Sequence, residues 1–150
     1  MTLPFKVTRS ISFEGISDPL FVVDRLERGL ESLRAKQIKR HETDLEFAGG
    51  IFRPVLGQNL LSAVDFGRLE IEPYQAGIRV TYHLRFVQVF FLVSLMVLGL
   101  LGPAVMAASH ISFGNGLLIL AASWVWLLGG NVVITLHRFP RWLRATIVTA

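Results

Sequence analysis

The feature that most constrains this chain is a tract of 51 consecutive positions, Phe86 to Leu136, without one Asp, Glu, Lys or Arg. The segment His110-Ile111-Ser112-Phe113-Gly114-Asn115-Gly116 divides it into two apolar blocks, 86–108 and 116–137, of 23 and 22 residues. At about 1.5 Å of rise per residue, each exceeds the ~20 residues that cross ~30 Å of hydrocarbon. Residues 1–85 are too few to cover two uniformly apolar helices in water. The expected architecture is therefore an α+β cytoplasmic domain over 1–85, a two-helix transmembrane hairpin over 86–137 and a basic cytoplasmic tail over 138–150.

Charge sets the expected orientation. Residues 1–85 carry 12 Lys and Arg against 11 acids, whereas residues 73–150 carry five Arg and no acid. Arg79 and Arg85 precede the first block, Arg138, Arg141 and Arg144 follow the second, and the connecting segment has no such residue. Positive charge is retained on the inner side, so the expected location is the cytoplasmic (inner) membrane with both termini cytoplasmic. Met1 to Lys6 lacks the charged-then-apolar pattern of a secretory signal, which fits a first domain that stays where it is made.

Several side chains in and beside the tract invite specific roles. Arg85, Arg138, Arg141, Trp142 and Arg144 are expected as membrane-interface anchors, the indole at headgroup depth and the guanidinium groups near anionic lipid phosphates. Gly99, Gly102, Ala104 and Ala108 in the first block, with Gly129 and Gly130 in the second, are candidate helix-packing positions. They would serve the hairpin's own contact first and another protein second. Gln88 and Asn131 are the candidate intramembrane hydrogen-bonding groups, and Gly102-Pro103 predicts a bend or a local loosening.

Before the tract, alternation over 6–14 predicts a strand with Val7, Ile11 and Phe13 on one face, interrupted there by Arg9. Ser17-Asp18-Pro19 places a cap and a first-turn proline at a helix start. Apolar positions at Val22 or Val23, Leu26, Leu30 and Leu33 carry this helix from about 19 to about 39. Asp24 would pair with Arg28 and Glu31 with Arg34, while Lys36, Lys39 and Arg40 would sit at the negative end of the helix dipole. A second strand is expected over 44–53, bent at Gly49-Gly50 and stopped by Pro54. Arg68 to Glu72 and Ile78 to Phe86 predict a β-hairpin turning at Pro73 to Gly77, with Ile71 opposite Ile78 or a bulge if the turn is tighter. The sum is a mainly antiparallel sheet with one covering helix. For Val55 to Phe66, which is apolar without a clean period, a short helix, a loop over the core and a piece resting on the bilayer all fit.

Reactive chemistry finds little support in the residues. The chain has no cysteine, which excludes disulfides, thiolate metal sites and thiol redox steps. His41 to Glu46 concentrates potential ligands, yet reads as a solvated turn between helix and strand, since metal sites need convergence from defined faces. Asp65, Glu70 and Glu72 read as exposed charges, and His110 and His137 as interfacial groups rather than ligands of a pigment or haem. Phosphate-cradling glycine loops and a Gly-x-Ser-x-Gly turn do not occur. No catalytic, cofactor-binding or metal-binding residue is therefore expected. Lys36, Lys39, Arg40 and His41 lack the aromatic interleaving of an RNA-binding surface, so nucleic acid is not an expected partner.

What remains is a non-catalytic accessory or assembly subunit of a larger integral-membrane complex, energy-transducing assemblies included. Its expected partners are integral-membrane subunits and a bilayer containing anionic lipids. Two alternatives stand beside it: a self-assembling channel or transporter component, which would be a homo-oligomer, and a membrane-anchored signalling adaptor.

Overall fold

The computed structural model describes residues 5–49, 60–61, 63–108 and 112–148. Five strands, β1 (Lys6–Glu14), β2 (Lys36–His41), β3 (Asp44–Ala48), β4 (Phe66–Tyr74) and β5 (Gly77–Arg85), form one antiparallel sheet in the order β1-β5-β4-β3-β2. Helix α1 (Pro19–Ser32) lies between β1 and β2 in sequence. After the sheet come α2 (Val87–Met96), a π-helical turn (Val97–Leu101), α3 (Gly102–Ala107) and the long α4 (Phe113–Val148).

Alternation sorts the strands. Leu69 and Ile71 of β4, with Ile78, Val80, Tyr82 and Leu84 of β5, are buried on one face and join Leu45 and Phe47 of β3. The expected sharing of a face by β4 and β5 therefore holds, but their register differs. Ile71 pairs with Val80, and Pro73 with Ile78, because the chain reverses over two residues, Gln75 and Ala76, with Gln75 at φ 49°. Arg9, the charge interrupting β1, is the cross-strand partner of Tyr82. Burial pushes the Tyr82 phenol up, and the neighbouring Arg9 guanidinium works in the opposite direction.

Helix α1 begins as expected: Asp18 Oδ1 accepts from the Leu20 amide at 2.9 Å and Pro19 opens the first turn. It stops seven residues early, however, at Ser32 rather than near 39. Arg34 adopts φ 56°, with Ala35 N–H donating to Leu30 O and Arg34 N–H to Glu31 O. This is a Schellman-type cap built on a residue other than glycine. The basic run Lys36, Lys39 and Arg40 consequently forms edge strand β2 instead of a helix end. Asp24 then pairs with Arg40 at 2.6 Å, while Arg28 turns its Nε to the Asp24 carbonyl. His41 to Glu46, expected between helix and strand, instead spans a tight turn of the β2–β3 hairpin, with Glu42 at φ 44°.

The expected second strand ends at Ala48, and its continuation through 50–53 lies outside the described residues. So does most of the unassigned 55–66 segment; Leu60, Leu61 and Ala63 lie in turns, and Phe66 opens β4.

The largest departure concerns residues 138–150, expected as a tail. Through Val148 they continue α4, whose final turns lie on the buried face of the sheet beside α1. Phe139, Leu143 and Ile147, spaced four apart, are buried, while Arg138, Arg141 and Arg144 point outward. Each buried side chain of that size contributes about 1.5–3 kcal/mol toward holding these turns on the sheet. The sheet is thus covered by two helices rather than one. Close approach of the pair is permitted by Gly29, where a Cβ would lie 2.9 Å from both Trp142 Cζ2 and Thr146 Cγ2.

Candidate functional site

Among the described residues, two segments are long and apolar enough to cross a bilayer: Val87–Val105, of 19 residues, and α4, of 36, each with a mean hydropathy of 2.1 over its most apolar window. Val93 and Val97 from the first pack with Leu128 from the second. Trp124 Nε1 donates to Ser94 Oγ at 2.9 Å, and the Phe90 ring meets Trp124 edge-on at 5.5 Å. Phe5, just before β1, stacks against Phe90 at 4.6 Å, so the start of the sheet also touches the apolar helices.

Along α4 the buried face is one stripe: Leu128 against the first apolar helix, then Thr135, then Phe139, Leu143 and Ile147 in the core of the sheet domain. A helix that carries one continuous stripe across both contacts joins the two parts as a single body.

The small residues are placed differently from expectation. A Cβ added at Gly99, Gly129 or Gly130 would meet open space, and at Gly102 only Val97 O at 3.8 Å. Ala104 is exposed and Ala108 half-buried. The two helices therefore make contact through Val93, Val97, Leu128 and the Ser94–Trp124 bond, and leave the glycines outward. The loosening expected near Gly102-Pro103 takes the form of the π turn, in which Gly102 N–H reaches back to Val97 O. Such a turn absorbs the donor that Pro103 lacks.

Of the two amides, Asn131 spends its Nδ2 on Leu127 O within its own helix, at 2.6 Å. Gln88 lies at the start of α2 with an exposed side chain, and its backbone N–H donates to Asp65 Oδ2 at 2.7 Å. Asp65, read from sequence as an exposed charge, is half-buried and closes the free N-terminus of α2. Desolvation raises its pKa, opposed by the amides of Gln88 and Val87 and by Arg85.

The proposed anchors also divide. Arg85, Arg138, Arg141 and Arg144 are exposed. Trp142, expected at headgroup depth, is half-buried over Gly29 and stacks on Phe139 at 5.4 Å, so its ring serves packing within the domain. His137 is exposed, and His110 lies outside the described residues.

The face of the sheet away from α1 and α4 holds a polar cluster that sequence spacing did not bring together. Thr8 Oγ1 lies 2.8 Å from His83 Nδ1, and His83 Nε2 lies 3.4 Å from Glu70 Oε2. Arg68 reaches Asp44 at 2.6 Å, Glu70 at 3.1 Å and Glu46 at 3.9 Å. The Arg68 Nε is shielded from solvent and off the hydrogen-bonding direction to Glu70, so that 3.1 Å contact is ionic. The bond to Asp44 leads the causes that hold the Arg68 guanidinium above its ordinary pKa.

Hydroxyl, imidazole and carboxylate in series resemble a nucleophilic relay. Thr8, His83 and Glu70 stand on the adjacent strands β1, β5 and β4, and the register brings them into line. The series is a polar row across three strands. Beside it opens a cavity of about 340 Å³ whose lining includes Lys6, Arg85, Phe66, Arg68, Glu46 and Glu70. Lys6, Arg85 and Phe66 are register partners in one row at the end of the sheet from which α2 departs.

Comparison of the chain with protein-family models, with curated proteins and with solved structures gives no match in any of the three.

Proposed function

We propose that the chain is a non-catalytic accessory or assembly subunit of a larger integral-membrane complex. Its two apolar helices span the inner membrane as a hairpin, both termini face the cytoplasm, and the α+β domain is held against the inner surface. The observation that carries this reading is α4, which continues through Pro140 to Val148 and whose buried stripe runs from Leu128 to Ile147 through both parts of the molecule. A domain locked to its anchor presents one surface at a fixed height and angle, as a fixed part of an assembly requires.

Two further features support an assembled role. Gly99, Gly129 and Gly130 leave room on the outside of the helices, where a neighbouring helix can approach closely. Arg85, two residues before α2, and Arg138, where α4 enters the domain, are exposed, which agrees with a cytoplasmic domain; Arg144 lies farther along, beside Ser12 and Phe13.

Extraction of the full chain from membranes in a mild detergent, followed by native mass spectrometry, tests the reading. A stoichiometric integral-membrane partner is the expected result. Recovery as a free monomer across gentle conditions contradicts it, and recovery as a homo-oligomer that conducts ions in vesicles replaces it with the self-assembling channel.

A further inference from the structure

We propose that the cavity at the α2 end of the open sheet face binds the headgroup of an aminophospholipid, an inference that rests on the membrane-anchored reading. The lipid phosphate lies against Lys6 and Arg85, and the ethanolamine ammonium reaches Glu46 and Glu70.

The order of charges along the strands argues for this ligand. Arg85 stands two residues before α2 begins, and its cross-strand partners Lys6 and Phe66 share that row. The cavity's cations are thus at the depth where a bilayer places its phosphates. Phe66, 41% exposed in the same row, offers an apolar wall to the glycerol and first acyl carbons. One step outward, Glu46 and Arg68 pair across β3 and β4, and Glu70 follows. Outward-facing residues on a strand recur at about 7 Å, so Glu46 stands one step and Glu70 two steps from the Lys6–Arg85 row; an ethanolamine arm and the flexible Lys6 and Arg85 side chains span the first, and the Glu70 side chain reaches the same cavity from the second.

The balance of charge selects among headgroups. Asp44, Glu46 and Glu70 gather around Arg68, Glu70 also faces His83 and Glu46 stands opposite Lys39 in the register; a carboxylate accepts at about four lone-pair sites, so Glu46 and Glu70 can each take a further donor. A headgroup with anionic charge alone meets Lys6 and Arg85 but brings no cation to Glu46 and Glu70. A serine headgroup brings a further carboxylate to the same place. A choline headgroup carries positive charge but no N–H to donate, whereas a primary ammonium has three. Phosphate nearer the bilayer and primary ammonium farther out match the cavity in sign and in sequence.

The test uses the full chain in mild detergent, titrated with ethanolamine, choline, glycerol and serine phospholipids of identical acyl chains and read by native mass spectrometry. The ethanolamine lipid is expected to be retained about tenfold better than each of the others. Lys6→Gln with Arg85→Gln lowers retention of both the ethanolamine and the glycerol lipids. Glu46→Gln lowers the ethanolamine lipid alone, and Glu70→Gln, as a second variant, does the same. Thermal melts of all four substitutions establish that the sheet is intact.

Equal retention of all four lipids, preference for the glycerol lipid, or an ethanolamine lipid indifferent to both glutamate variants overturns the proposal. Soluble phosphoethanolamine binding as tightly as the lipid also overturns it, by moving the ligand from bilayer to solution. A chain that inserts into vesicles yet shows no headgroup preference refutes this site and leaves the anchored reading standing. A chain that stays dispersed without detergent and ignores vesicles refutes both.

Discussion

Phe139 of α4 and Tyr82 of β5 meet in the centre of the domain with ring centroids 5.1 Å apart, both fully buried. The contact joins a helix that begins in the apolar region to the middle of the sheet. It makes the last turns of α4 part of the domain core, and the stability of the domain depends on them.

Phe139→Ala is expected to cost about 3–5 kcal/mol, the usual range for truncating a buried aromatic side chain. Limited proteolysis in detergent provides the measurement. New cleavage after Arg138, Arg141 or Arg144 is expected, together with exposure of α1, which loses its neighbour. Unchanged cleavage would mean that the docked turns contribute little.

Gly29 separates two effects by size. Gly29→Ala adds about 1 kcal/mol of helix propensity, set against contacts at 2.9 Å with Trp142 and Thr146, so its net change is small. Gly29→Leu cannot be accommodated without moving the Trp142 ring and is expected to destabilise by about 1–3 kcal/mol. Thermal melts of the two variants measure the difference, and equal melting temperatures would contradict the α1–α4 packing.

At Asp65, removal and neutralisation have opposite consequences. Asp65→Ala loses the acceptor for the Gln88 amide, at about 0.5–2 kcal/mol. Asp65→Asn keeps an oxygen there and removes the desolvated charge. A folded pKa raised above the ordinary 3.8 gives a contribution complete below 3.8 and lost as the pH rises through the folded value. Melting temperatures of Asp65→Asn relative to the natural chain are therefore expected to be higher at about pH 7 than at about pH 3.5. A difference that moves the opposite way would contradict the desolvation account.

Ser94 and Trp124 form the polar contact between the two apolar helices. A double-mutant cycle of Ser94→Ala and Trp124→Phe is expected to show a coupling of about 0.6 kcal/mol, the mean for interhelical bonds in bilayers. Zero coupling in unfolding measurements would place the indole elsewhere.

What could be read from the residues follows a physical division. Strands β1, β4 and β5 were legible because a half-buried strand alternates, and the start of α1 because Asp18-Pro19 advertises a cap. The end of α1 was not, since Arg34 takes the left-handed position without the usual glycine. Edge strand β2 has a single apolar residue, Ile38, and no alternation to betray it. At the end of α4 the arginines drew attention to charge, while the phase of Phe139, Leu143 and Ile147 carried the structural message. The open-face cluster was out of reach for another reason. Thr8 and His83 are 75 residues apart, and only the β1–β5 register makes them neighbours.

Hydrogen exchange over residues 138–148 of the full chain in lipid nanodiscs tests most directly whether apolar helix and domain are one body. Protection of these amides comparable to that of α1 is the predicted result, slowest at Leu143 and Ile147. Exchange at the rate of an unstructured peptide would show a free tail and contradict the account.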